Sequence, residues 1–180
     1  MNRREVIAGA AAAGVAGVGA AVAIGDWNPL ENGEAIAEYE LEAIEATGSE
    51  PGPMVVPERG SVTFLEVFAT WCGVCADLMA PMGEVYDDLG EDVQFVSVTN
   101  EPLGRTTTAD DVADWWDDHD GRWSVAHDDD LQLTSELDAT GVPYSFVLDE
   151  GNVVTWSDSG YKSADELREP LEAALSTAGD

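Results

Sequence analysis

Residues Val62 to Phe68 are apolar at nearly every position and run directly into Thr70-Trp71-Cys72-Gly73-Val74-Cys75. A run of β-forming residues without alternation describes a strand covered on both faces. Such a strand belongs in the middle of a sheet with helices on either side. After the cysteines, Val74, Leu78, Met82, Val85 and Leu89 recur at spacings of three and four, which predicts a helix over 73–89. The junction between a buried strand and a helix therefore carries both cysteines of the chain.

The remaining punctuation predicts a mixed α/β sheet. Val93 to Val98 reads as a second buried strand. Thr108 and Asp111 form a capping-box-like helix start, followed by Val112, Trp115, Trp116 and His119 on one face. Arg122 to Ala126 suits a short strand, and Leu131 to Leu137 a short helix. Tyr144 to Leu148 and Val153 to Trp156 read as strands joined at Asp149-Glu150-Gly151-Asn152. Ser163 and Glu166 cap a last helix, in which Pro170 marks a kink or shift. The expected order from residue 61 is β-α-β-α-β-α-β-β-α, a mixed sheet covered by helices. Before it, Tyr39, Leu41 and Ala43 alternate with acids and suit a strand paired with Met54 to Val56, although a helix fits the same stretch.

The cysteine spacing has chemical content. At the start of a helix, the Cys72 sulfur faces unpaired backbone N–H groups and the positive end of the dipole, both of which favour thiolate. Cys75 lies three residues on, on the same side of the first turn, where it can close a disulfide and resolve a mixed one. Competing readings need more than the chain offers. A zinc site needs two further ligands, and His119 and His127 are too far apart in sequence for a finger. A structural disulfide closing so short a loop restrains little chain entropy. The Asp128-Asp129-Asp130 run lacks the glycine and terminal acid of a calcium loop and suits a helix cap instead.

The stretch Phe68 to Cys75, Pro81 in the helix, Gly141-Val142-Pro143 and the hairpin with Asp149 and Gly151 resemble the thioredoxin superfamily, and most of all its TlpA-like thiol–disulfide oxidoreductases. The resemblance spans residues 56–178. It implies a thioredoxin-like fold, a mixed central sheet flanked by helices, and disulfide exchange with protein thiols and disulfides, with no bound cofactor and no metal. By the same resemblance Cys72 attacks and Cys75 resolves. Pro143 is cis beside the disulfide, and Val142 offers backbone groups to an extended substrate. Trp71 shields Cys72. Glu66, the one charge within Val62 to Phe68, takes the buried-acid position and handles the Cys75 proton. The TlpA-like pattern often has Asn there, so Glu66 follows the thioredoxin type. The direction expected first is reduction, as in cytochrome maturation, with a membrane redox donor. A copper-binding chaperone of the same fold is the alternative, although such proteins usually carry three residues between their cysteines.

Composition bears on the surroundings. The chain has 180 residues, 7 of them basic and 37 acidic, for a formal charge of -30. An acidic surface excludes nucleic acid and anionic lipid as partners. The acids are dispersed and Lys162 is the sole lysine, a pattern that points to a protein adapted to high salt, as in a halophilic archaeon. At the N-terminus Arg3-Arg4 precedes Val6 to Gly25, an uncharged run rich in Ala and Gly. It resembles a twin-arginine signal, and as a helix it would span about 30 Å, enough for an anchor. The expected organisation is residues 1–25 as signal or membrane anchor, 26–55 as a linker with an N-terminal hairpin, and 56–180 as a monomeric, extracytoplasmic thioredoxin-like domain.

Overall fold

The computed structural model describes residues 33–104 and 106–178. Along the chain the elements are β1 (Tyr39–Ala43), β2 (Gly52–Val56), β3 (Thr63–Phe68), α1 (Gly73–Leu89), β4 (Gln94–Thr99), α2 (Ala109–Asp118), β5 (Ser124–His127), α3 (Gln132–Glu136), β6 (Tyr144–Leu148), β7 (Val154–Ser159) and α4 (Ala164–Ala178). The strands form one sheet in the order β2-β1-β5-β4-β3-β6-β7. From residue 61 the order of elements is the expected one. The main difference is that β7 continues to Ser159, where polar residues left no apolar pattern to read.

β3 is buried throughout, because it lies between parallel β4 and antiparallel β6 and is covered on both faces. Phe64 and Phe68 point to one side, with Phe95, Trp123, Leu78, Met82, Trp116 and Leu171. Leu65 and Val67 point to the other, with Val96, Val98, Phe146, Leu133 and Leu137. A continuous apolar run thus serves two cores at once. Both predicted capping boxes form. The Thr108 hydroxyl accepts from the Asp111 amide at 3.2 Å while the Asp111 carboxylate accepts from the Thr108 amide at 2.8 Å. Ser163 and Glu166 make the same reciprocal pair. Asp128 accepts from the Thr134 amide at 2.8 Å, and Asp130 from the Gln132 amide at 3.2 Å, so the acidic run holds the start of α3.

The expected hairpin of Tyr39–Ala43 with Met54–Val56 forms, and it is joined to the main sheet. β1 pairs with β2 from Tyr39↔Val56 to Ala43↔Gly52, and β1 also pairs with β5 at Glu42↔His127 and Ala43↔Ala126. β1 and β2 are therefore part of the main sheet, and the folded unit begins well before residue 56. Burial is the reason. Leu41, Ala43 and Ile44 are covered while Glu40 and Glu42 remain in water, and Ile36 is buried in the core. The expected signal or anchor at 1–25 lies outside the described residues. Among the described residues no helix is long and apolar enough to cross a membrane.

Candidate active site

The site is built at the end of β3. The chain turns there, with the Cys72 amide donating to the Ala69 carbonyl at 3.0 Å. The corner is held from outside by Glu101, which follows β4. Its carboxylate accepts from the Thr70 amide at 2.7 Å and the Thr70 hydroxyl at 3.1 Å. Glu101 is buried, so these charge-assisted bonds act in a poorly screened place. Nothing in the sequence set this acid apart from the other 36 of the 37. Its one local signal is a position just beyond a buried strand.

Cys72 caps α1. Its backbone is extended, at φ -91 and ψ 104, and its Sγ accepts from the Cys75 amide at 3.1 Å. The Ala76 amide donates to the Cys72 carbonyl at 3.2 Å. The first turn of α1 contains no acid, in a chain with a large surplus of them. An acid there would oppose the dipole and disfavour a thiolate. Cys72 and Cys75 are joined as a disulfide, with Cα atoms 5.3 Å apart. Cys72 is 7% exposed and Cys75 0%, so an incoming sulfur meets Cys72 first.

Around this pair, Trp71 is 74% exposed and Val74 is also exposed. The Trp71 ring is thus not used up in core packing. Val142 is half-buried and packs against the cluster that contains both cysteines. The Val142–Pro143 bond is cis, as is Val56–Pro57. Tyr144 pairs with Val67, so the next step of the antiparallel register brings Pro143 level with Phe68 at the same corner.

Glu66 lies on the sheet face that carries Phe64 and Phe68, the face covered by α1. It is fully buried, and among the described residues neither carboxyl oxygen has a hydrogen-bond partner of good geometry. Burial pushes its pKa up to about 8, and the neighbouring Ser97 hydroxyl, close enough to be felt but not in a formed hydrogen bond, pulls the other way. The ordinary value is 4.5. Below that pH the group is protonated in both the folded and unfolded chain. Above it the unfolded chain releases the proton while the folded one keeps it, so this contribution to stability is lost as pH rises from 4.5 to about 8. Glu66→Gln is expected to gain on the order of 4 kcal/mol relative to the parent protein between pH 5 and 9, read by denaturant unfolding. A stability difference that does not change with pH would contradict an acid held neutral by burial.

Each histidine is tied to a backbone carbonyl. His119 Nδ1 is 2.7 Å from the Trp115 carbonyl and His127 Nε2 is 2.8 Å from the Glu101 carbonyl. Trp116 is core, and half-buried Trp115 stacks on Phe68 with centroids 5.0 Å apart. Among the described residues no group of three His, Cys, Asp or Glu side chains could hold a metal ion. A cavity of about 590 Å³ between β7 and α4, lined by Trp156, Lys162 and Pro170, shares no residue with the cysteine corner.

The model of the Redoxin family matches residues 46–175. No curated protein matches the chain. Among solved structures, the chain is similar to StoA from Bacillus subtilis, at 22% identity and a TM-score of 0.63, covering 76% of this chain and 98% of that one. It is similar to a putative thiol:disulfide interchange protein DsbE from Chlorobium tepidum, at 23% and 0.66, covering 79% and 96%. It is also similar to the pneumococcal exposed lipoprotein thioredoxin Etrx1 from Streptococcus pneumoniae, at 17% and 0.64, covering 76% and 99%. These likenesses show a thioredoxin-like fold.

Proposed function

This chain belongs to the Redoxin family and is a thiol–disulfide oxidoreductase, and from that premise we propose that it reduces protein disulfides outside the cytoplasm, in the manner of the TlpA-like enzymes. The observation that carries the reading is the asymmetry of the cysteine pair. Cys72 Sγ accepts an amide hydrogen at the tip of α1, beside exposed Trp71, while Cys75 is wholly buried behind it.

In the reduced protein the Cys72 thiolate attacks a substrate disulfide. A mixed disulfide forms and one substrate sulfur leaves as thiolate. Glu66, in its ionised form, takes the Cys75 proton, and the Cys75 sulfur then attacks Cys72 Sγ. The second substrate sulfur leaves, and the pair returns to the disulfide having delivered two electrons. Protons from Glu66 and water complete the two substrate thiols. The substrate lies as an extended segment along the backbone of Val142 and Pro143, and Trp71 covers the reacting sulfur. A dithiol donor held in the membrane restores the reduced pair. No cofactor takes part, and one copy of the chain suffices.

Export is supported by the Arg3-Arg4 pair and the uncharged run behind it, which suits a cleaved signal or an anchor. The similarity to an exposed lipoprotein thioredoxin supports the same setting. Equilibration with glutathione buffers at molar salt tests the direction. A reduction potential near about -270 mV is expected of a reductant, and a value near about -120 mV would assign the opposite role.

A further inference from the structure

We propose that Ser97, oriented by Trp123, is a positioning residue for the proton carried by Glu66. The proposal rests on the reading that Glu66 exchanges a proton with Cys75, and it names what aims that exchange.

Trp123 is buried, and its indole Nε1 donates to Ser97 Oγ at 3.0 Å. An indole N–H can only donate, so Ser97 must accept there. One lone pair of the hydroxyl is thereby occupied and its single O–H is left to give away. Ser97 stands in register with Glu66 on the adjacent parallel strand, and both belong to the face under α1. The Trp123 ring has little freedom to release Ser97. It meets Phe95 edge-on at 5.1 Å and Trp116 edge-on at 5.0 Å, with Tyr86 at 5.5 Å. The Ser97–Glu66 hydrogen bond is not formed in the structure, but register sets the two side by side and the spare Ser97 O–H, held by a ring wedged among aromatics, is the donor available to Glu66 once it ionises.

The opposite neighbour is different. Ser145 is in register with Glu66 on β6, is buried, and has no hydrogen-bond partner among the described residues. With nothing donating to it, its hydroxyl can turn to accept from a protonated Glu66 or donate to an ionised one. Ser97 favours the carboxylate, whereas Ser145 follows whichever form is present. Among the described residues no charged group bears on the Glu66 proton. From α1 the face presents Cys75, Leu78 and Met82, from α2 Trp116, and from α4 Leu167 and Leu171. Asp158 of β7 is the next residue in line beyond Ser145, and its exposed carboxylate is paired at 3.2 Å with the largely buried Lys162. Burial and Ser97 are the influences on the Glu66 proton.

The test follows the infrared carbonyl band of the protonated Glu66 side chain in the oxidised full chain, from pH 5 to 11 in molar salt. Glu66→Gln identifies the band by removing it. Loss of a donor to the carboxylate should raise the midpoint, by about one pH unit for Ser97→Ala, a tenfold change in proton affinity. Trp123→Phe keeps the ring and removes the N–H, and it should shift the midpoint the same way by a smaller amount. The double variant should match Ser97→Ala alone, because Trp123 acts through Ser97. Ser97→Thr should restore the parent midpoint. The pH profile for release of a mixed disulfide by Cys75 should move with the band. A midpoint that stays or falls in Ser97→Ala, additive shifts in the double variant, or a release profile that ignores the band would each overturn the proposal. If Ser97→Ala does not fold, an unmoved midpoint in Trp123→Phe overturns it. The band is read without turnover and without a redox partner, so an oxidant's potential would sink the reductase reading and leave this result intact.

Discussion

Replacing Cys72 by serine is expected to abolish disulfide exchange, leaving insulin-type reduction at the rate of the uncatalysed mixture. A serine hydroxyl in that place stays protonated at neutral pH and forms no sulfur–sulfur bond, so neither the first attack nor a mixed disulfide is available. Cys75→Ser should behave differently. Cys72 keeps its place at the tip of α1 and its partial exposure, so the first attack survives. Resolution does not, and a covalent adduct with substrate should accumulate, seen by mass spectrometry and released by added thiol. Activity retained in Cys72→Ser, or adducts formed on Cys75 instead, would reverse the assignment of roles. The geometry argues against that reversal, since a fully buried sulfur must move before any protein disulfide can reach it.

Thermal stability is expected to climb by on the order of 10 °C or more between dilute buffer and molar KCl. The chain sets 37 acids against 7 bases. Among the described residues, Arg122 pairs with Asp87, Arg168 with Asp88 and Asp165, and Lys162 with Asp158. So few cations cannot offset the remaining surface charge, and exposed pairs contribute little in any case. The screening length falls from about 30 Å at 0.01 M to about 3 Å at 1 M, which removes most of the repulsion. A melting temperature that is flat across this range would refute adaptation to high salt. Glu66 offers an internal contrast. Desolvation, not surface repulsion, raises its proton affinity, so the pH dependence removed by Glu66→Gln should persist in molar salt.

The parts of the fold that were legible share one property: their evidence is local. β3 announces itself by a continuous apolar run, α1 by its three-and-four spacing, and α2 and α4 by caps whose partners sit three residues apart. The closeness of the two cysteines and the burial of Glu66 were legible for the same reason. The unread parts depend on contacts between distant residues. Whether Tyr39 to Ala43 belongs to the sheet is decided by β5, far along the chain. Glu101 matters because Thr70 lies beside it, and Ser97 because register puts it against Glu66 with Trp123 behind. Serine is a neutral letter in a strand pattern, and one more acid is invisible in this composition. Burial gives these residues their roles, and burial of a polar atom is a property of the assembled sheet.

High salt relieves repulsion within one molecule, but it also weakens the repulsion that keeps two molecules apart. An acidic protein in brine therefore cannot rely on charge to protect the open margins of its sheet. β2 forms one margin, and it is five residues long with Pro53 inside it and Pro57 just after. A proline offers no amide hydrogen to a second sheet, and a short strand offers few others. Protection against edge-to-edge association is thus built into the backbone at β2, where no concentration of salt can remove it.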